Sequence, residues 1–255
     1  MIACSEIIRF MEQTAPVELA EDWDNVGLLV GTKDCFVKRI MVCLDITSSS
    51  VRVAAAEKVD MIITHHPVIF KGIKNLTQDN AKGRLLFELM RNNIGVYSAH
   101  TNLDFAEYGV NDRLAGALGL TKLEMLGKGP GKTGYLPDKK SHADFIAMVK
   151  CALNVPFVRT TGKNCLTVHK VAVFSGSFDD DLEAFMKSGA DAMVTGDLKY
   201  HTALDASEAG LCIIDAGHFN TEKIILPILA ASLATKFPAI EVFCFEQEED
   251  PFKTY

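Results

Sequence analysis

Apolar residues along this chain arrive in short blocks, and two spacings alternate. Runs of four to seven residues, rich in Val, Ile, Met and Phe, read as buried strands at 39–45, 60–64, 95–99, 168–174, 192–195, 212–215 and 240–245. Shorter strand signals lie at 133–135 and near Phe157, and residues 22–31 read as a polar turn followed by a short apolar strand. Between the runs, apolar positions recur at helical spacing over 5–12, 48–58, 79–92, 110–118, 142–152, 180–187, 200–209 and 221–235, with Ser5 a candidate N-cap for the first. Strands alternating with helices predict an α/β fold with mixed, largely parallel sheets. The Gly- and Pro-rich segment Leu126-Gly127-Lys128-Gly129-Pro130-Gly131-Lys132 is the best boundary in the chain. It divides two three-layer-like α/β lobes, 1–126 and 127–255, the last helix and strand being candidates to pack back on the first lobe.

The polar residues that interrupt this pattern sit at strand exits. In Met61-Ile62-Ile63-Thr64-His65-His66-Pro67 an apolar strand runs into two histidines and is stopped by a proline, which cannot donate to a ladder. Neighbouring strand residues face opposite ways, so one strand does not aim both rings at one ion. The pair fits two adjacent ions, or a turn that re-aims one ring; the alternative is one core histidine and one solvated one. Three more exits are polar: His100 with Asp104, Thr195-Gly196-Asp197, and His218 with Glu222. His218 and Glu222 share a face if a helix begins there.

The chain also repeats itself. At an offset of 131, the block 40–45 aligns with 171–176 and Asp60-Met61-Ile62-Ile63-Thr64 with Asp191-Ala192-Met193-Val194-Thr195. At an offset of 118, His100-Thr101-Asn102-Leu103-Asp104 aligns with His218-Phe219-Asn220-Thr221-Glu222. Two related halves can bring matching strand ends to a cleft between the lobes, where α/β sheets gather ligands.

Composition narrows the chemistry. Net charge is −7 over 255 residues, which argues against a broad nucleic-acid or anionic-membrane surface. No apolar run reaches the roughly 20 residues of a membrane-spanning helix. The first residues lack the basic head and apolar core of a secretory signal, so a cytoplasmic location is expected. Seven cysteines at 4, 35, 43, 151, 165, 212 and 244 are widely spaced with no CxxC, so reduced thiols are expected and a zinc-thiolate site is not. Imidazole and carboxylate donors suit Zn, Fe, Mn or Ni. Paired ions about 3.5–4 Å apart act on water and on phosphoryl or carbonyl oxygens, and Asp104 and Glu222 can each supply a bridging oxygen. Asp45 and Asp197 are alternatively turn or cap residues, His100 a helix cap, and His142 and His169 surface or helix-start residues.

Thr64-His65-His66-Pro67, Asn102-Leu103-Asp104, Gly196-Asp197-x-x-Tyr200-His201 and Gly217-His218-x-x-Thr221-Glu222 together resemble the GTP cyclohydrolase I type 2 family, also called the Nif-three-like family. Asp24-Asn25-Val26-Gly27-Leu28 resembles its opening signature. The resemblance implies a dinuclear metal centre with His65, His66, Asp104, His218 and Glu222 as ligands, two divalent ions per chain, and a toroidal homohexamer with the sites facing its interior. The short stretch at 126–165 resembles the family's compact form, without an inserted domain. His100 and His201 fall within its motifs outside the ligand set and are expected behind the ligands, as candidates to move a proton.

The expected function is a metal-dependent hydrolase acting on a nucleotide-like or phosphorylated small substrate. The family name points to GTP, but residues 127–133 lack P-loop spacing. Lys71, Lys74 and Lys199, near strand exits, are the candidates to meet phosphates. The alternative is a metal-binding chaperone or regulatory interaction protein without turnover. A phosphodiesterase or nuclease acting on short substrates ranks below both. No DNA or membrane partner is expected.

Overall fold

A computed structural model describes residues 1–162, 167–178 and 181–253. Cys165, the first residue of the helix expected at 180–187, and the last two residues of the acidic tail lie outside the described residues. The chain folds as two α/β units, one of residues 1–106 with 225–255, the other of residues 107–224. No helix among the described residues is long and apolar enough to cross a membrane.

The first unit is built on a five-stranded sheet in the order Glu241–Cys244, Arg39–Cys43, Met61–Thr64, Gly95–Ser98, Gly27–Val30. All neighbours are parallel except the last pair. Its central strands read as unbroken apolar runs because both faces are covered. Met41, Cys43, Ile62 and Val96 pack into one core with Leu86 and Leu89 of the helix Ala81–Arg91. Ile40, Val42, Met61, Ile63 and Tyr97 are equally buried on the opposite face. Thr47, rather than Asp45, caps the helix Ser48–Ala56 through a reciprocal pair of bonds with Ser50. The first helix spans Cys4–Thr14 and is preceded by Ala3, with no side-chain cap; Ser5 lies inside it.

The second unit carries a six-stranded mixed sheet in the order Thr121–Met125, Lys132–Lys140, Val168–Ser177, Ala192–Gly196, Ile213–Asp215, Arg159–Thr161. The three strands Val168–Ser177, Ala192–Gly196 and Ile213–Asp215 are parallel, and the outer ones are antiparallel. Residues 126–131 close a hairpin, with the Leu126 N–H donating to the Gly131 carbonyl at 2.8 Å. A Cβ on Gly131 would lie 2.8 Å from the Val173 carbonyl, so the turn needs glycine. Val171, Val173 and Val194 face one core, and Ala172, Phe174 and Met193 face another.

The internal repeat is real down to single hydrogen bonds. Ile40 pairs with Met61, and Val171 with Ala192, which is the same register at the 131-residue offset. Asp60 accepts from the N–H groups of Lys38 and Arg39, and Asp191 accepts from those of His169 and Lys170. The 118-residue match is out of step by one. The Ala99 N–H donates to Thr64, and the Ala216 N–H to Thr195, so the third strands superpose at 117. Five-residue helices follow, Thr101–Phe105 and His218–Glu222, with His100 and Gly217 in the same preceding position. Asp104 is thus the counterpart of Thr221, and Glu222 stands one residue further on. The helix expected over 221–235 is two helices, His218–Glu222 and Ile225–Lys236.

Candidate metal centre

In the first unit, two strand exits deliver four histidine or carboxylate groups to one place. His65 and His66 leave the strand Met61–Thr64 still paired to the first strand, donating their N–H groups to the Cys43 and Leu44 carbonyls. The turn that follows brings both rings to one side, with centroids 5.0 Å apart. His100, the residue before the helix Thr101–Phe105, places its ring 5.2 Å from His65 and 5.5 Å from His66. The coordinating atoms of these three imidazoles lie within 4.8 Å of one another. Asp104, on the same short helix, sets Oδ1 3.7 Å from His65 Nε2.

Each ring is oriented by a bond at Nδ1. His65 Nδ1 donates to the Ala99 carbonyl at 2.8 Å, which requires the tautomer with hydrogen on Nδ1. His66 Nδ1 meets Asp45 Oδ1 at 3.0 Å, and His100 Nδ1 meets Asp24 Oδ1 at 2.8 Å. With Nδ1 so engaged, Nε2 is the nitrogen that each ring leaves available to a metal or a proton.

Asp24 does more than hold His100. Its Oδ2 accepts from the Thr101 N–H and hydroxyl, so a carboxylate from a distant turn caps the short helix. Burial opposes its charge, but the bonds from His100 and Thr101 outweigh burial and hold its pKa down to about 2. Burial lowers the His100 pKa, assisted by repulsion from His65 and His66 and opposed by Asp24. Asn102, in the middle of the motif, is fully buried and donates to the Ala15 carbonyl, a structural task.

In the second unit the donors are His218 and Glu222, one turn apart on a single helix, with Nε2 and Oε2 at 3.0 Å. Glu222 is buried at 4% exposure. His218 Nδ1 meets Asp197 Oδ2 at 2.9 Å, so the same Nδ1–carboxylate device recurs here. Two glycines let the helix come close. A Cβ on Gly176 (φ +66°) would lie 2.2 Å from Glu222 Oε1, and one on Gly196 would lie 2.5 Å from the His218 nitrogen. Buried Asp215 ties the surroundings together. It accepts from the N–H groups of Gly217 and Leu198 and is paired with Arg159.

A family model described as Duf34/NIF3 (NGG1p interacting factor 3) matches residues 2–251. The chain belongs to this family. It is 37% identical to a Clostridium acetobutylicum protein named GTP cyclohydrolase 1 type 2 homolog, over 89% of this chain and 88% of that one. A Methanocaldococcus jannaschii protein of the same name is 36% identical, over 85% and 88%. Among solved structures, a Bacillus cereus protein related to NIF3 has a TM-score of 0.92 at 26% identity, covering 98% of both chains. Reduced HcgD from Methanocaldococcus jannaschii has a TM-score of 0.86 at 32% identity, covering 96% and 98%. The two solved structures share the α/β fold described above.

The chain therefore groups His65, His66, His100 and Asp104 in one unit, and His218 and Glu222 in the other. His201 is exposed on the helix Tyr200–Glu208, its ring edge-on to Tyr200 at 5.3 Å. His142 opens a helix and His169 packs against Tyr135. Lys71 and Lys74 are exposed in the loop before the helix Ala81–Arg91, and Lys199 directly precedes the helix Tyr200–Glu208. Asp45 and Asp197, for which a turn or cap was the alternative reading, hold His66 and His218, and the sequence reading did not include Asp215 or Glu248. Asp215 carries a signal that was available, an acid at the end of an apolar strand. Glu248, whose carboxylate accepts from the Leu44 and Asp45 N–H groups, carries none, since it lies in an acidic run where a single inward-turned residue looks like its neighbours.

Proposed function

We propose that this chain is a dinuclear metal protein with His65, His66, Asp104, His218 and Glu222 as ligands, acting as a metal-dependent hydrolase on a nucleotide-like or phosphorylated small substrate. The observation that carries the reading is the uniform second bond. His65, His66 and His218 each have Nδ1 held by a carbonyl or a carboxylate, the arrangement that fixes a ligating imidazole with Nε2 outward. The donor set also fits, since imidazoles and carboxylates without thiolates suit Zn, Fe, Mn or Ni.

When bound, two such ions supply Lewis acidity toward water and toward phosphoryl or carbonyl oxygens. The chain's own residues do the rest. Asp24 holds the proton of His100 on Nδ1, so His100 Nε2 can take up a proton from an attacking water. Burial lowers the pKa of that imidazole and so favours its neutral form, against the opposing bond from Asp24. His201, exposed on its helix, is the second proton carrier in this scheme. Assembly into a toroidal homohexamer belongs to the same reading and is checked by light scattering.

The test is metal analysis coupled to turnover of GTP, other nucleotides and a generic phosphodiester, for the parent and for His66→Ala. About two ions per chain with turnover lost in the variant supports a hydrolase. Two ions with no turnover on any substrate moves the reading to metal delivery or regulation. Fewer ions, unchanged by His66→Ala, overturns the ligand set.

A further inference from the structure

We infer that Glu248 is a positioning residue for the His66 imidazole, acting through the peptide of Leu44–Asp45 and the Asp45 carboxylate. The inference rests on the proposed role of His66 as a metal ligand. Glu248 lies beyond the strand Glu241–Cys244, in a segment anchored by Phe245, which is buried and donates its N–H to the Val42 carbonyl. The segment then runs along the exit of the strand Arg39–Cys43. Glu246, Gln247 and Glu249 point outward, and Glu249 pairs with Lys253. Glu248 turns inward and grips two consecutive backbone groups. Oε2 accepts from the Leu44 N–H at 2.9 Å, and Oε1 accepts from the Asp45 N–H at 2.7 Å.

A carboxylate held at both oxygens by adjacent N–H groups fixes the peptide between them, and with it the direction in which the Asp45 side chain leaves. Asp45 in turn meets His66 Nδ1. This arrangement sets two acids side by side, and burial pushes the Glu248 pKa up against the two N–H bonds that lower it. The second unit solves the same problem differently. At the matching first-strand exit, the Gly176 N–H donates to the Thr221 hydroxyl at 3.0 Å, so the helix that carries Glu222 holds the loop directly.

The experiment uses the full chain as Glu248→Ala, Glu248→Gln and Asp45→Ala, with two readouts. The first is the His66 tautomer in metal-free protein, read from imidazole nitrogen NMR. The parent should hold hydrogen on Nδ1, and Glu248→Ala should give the mixed tautomers of Asp45→Ala. The second is zinc affinity by chelator competition. Glu248→Ala should weaken it about 10- to 100-fold, and Glu248→Gln by less, because its amide oxygen still accepts one N–H. A parent-like tautomer in Glu248→Ala, with Asp45→Ala changed, overturns the inference whatever happens to zinc. A changed tautomer in protein that binds no zinc in any form upholds the positioning role and overturns the metal reading on which it was built.

Discussion

The two units place opposite chemistry at matching points of one repeated frame. Counted at the 131-residue offset, Asp45 falls on Gly176, His65 on Gly196 and His66 on Asp197. The frame itself is kept, in the shared register of the first two parallel strands and in the paired N–H groups held by Asp60 and Asp191. In the first unit the exit of Arg39–Cys43 supplies the Asp45 carboxylate and the exit of Met61–Thr64 supplies two imidazoles. In the second, the positions matching Asp45 and His65 are glycines, Gly176 and Gly196, and the helix His218–Glu222 lies close against them, while the position matching His66 is Asp197. The ladder records the difference, since the register slips between Val173 and Ser177 in the second unit alone of the two first-strand pairs. A repeated scaffold thus presents a histidine pair from a strand exit in one unit and a histidine–glutamate pair from a single helix in the other.

The sharpest way to break this contrast is to put a side chain where the second unit needs none. Gly176→Ala should displace the Glu222 carboxylate and weaken zinc binding by about 100-fold or more, alongside about 1–2 kcal/mol of backbone strain at positive φ. Isothermal titration calorimetry of the folded variant measures it, and parent-like affinity would show that Glu222 does not need that space. Asp215→Ala comes next. It leaves the Gly217 and Leu198 N–H groups unanswered, and denaturant unfolding should register a loss of about 1–3 kcal/mol.

Asp24→Asn probes the matching role in the first unit. The folded carboxyl titrates near 2 against an ordinary 3.8, so its stabilisation is fully present above pH 3.8 and is lost as pH falls through about 2. The variant should lose about 1 kcal/mol at neutral pH and should show a flatter acid limb over that window in pH-dependent unfolding. An unchanged acid limb would assign it to other carboxyls. The smallest effect is the most symmetric. Asp60→Ala and Asp191→Ala remove equivalent pairs of N–H acceptors, and each should cost about 1 kcal/mol by thermal unfolding, within a few tenths of one another. Unequal costs would mean that the frame is shared in shape alone.

Much of this was legible in residue order. The strands Arg39–Cys43, Met61–Thr64 and Ala192–Gly196 are apolar on both faces, and that leaves an unbroken signal. His65-His66 stood out because imidazoles ending such a run are costly unless they are used. The strand Thr121–Met125 was not legible, because all five residues are exposed and alternate little. The short helix Thr101–Phe105 was missed because its cap, Asp24, is 77 residues upstream. The one-residue error in aligning His100 with His218 has a similar origin. The eye matches histidine to histidine, whereas the ladder matches His100 to Gly217, and only the backbone bonds of Ala99 and Ala216 reveal it.

The order of synthesis gives the division of the chain one more meaning. Residues 107–224 are continuous, so the second unit has all of its parts as soon as Ile224 has emerged. The first unit begins the chain but lacks its edge strand until Glu241–Cys244 is made, and Arg39–Cys43 must wait with one flank unpaired. On a ribosome, the half that is started first is the half that is finished last.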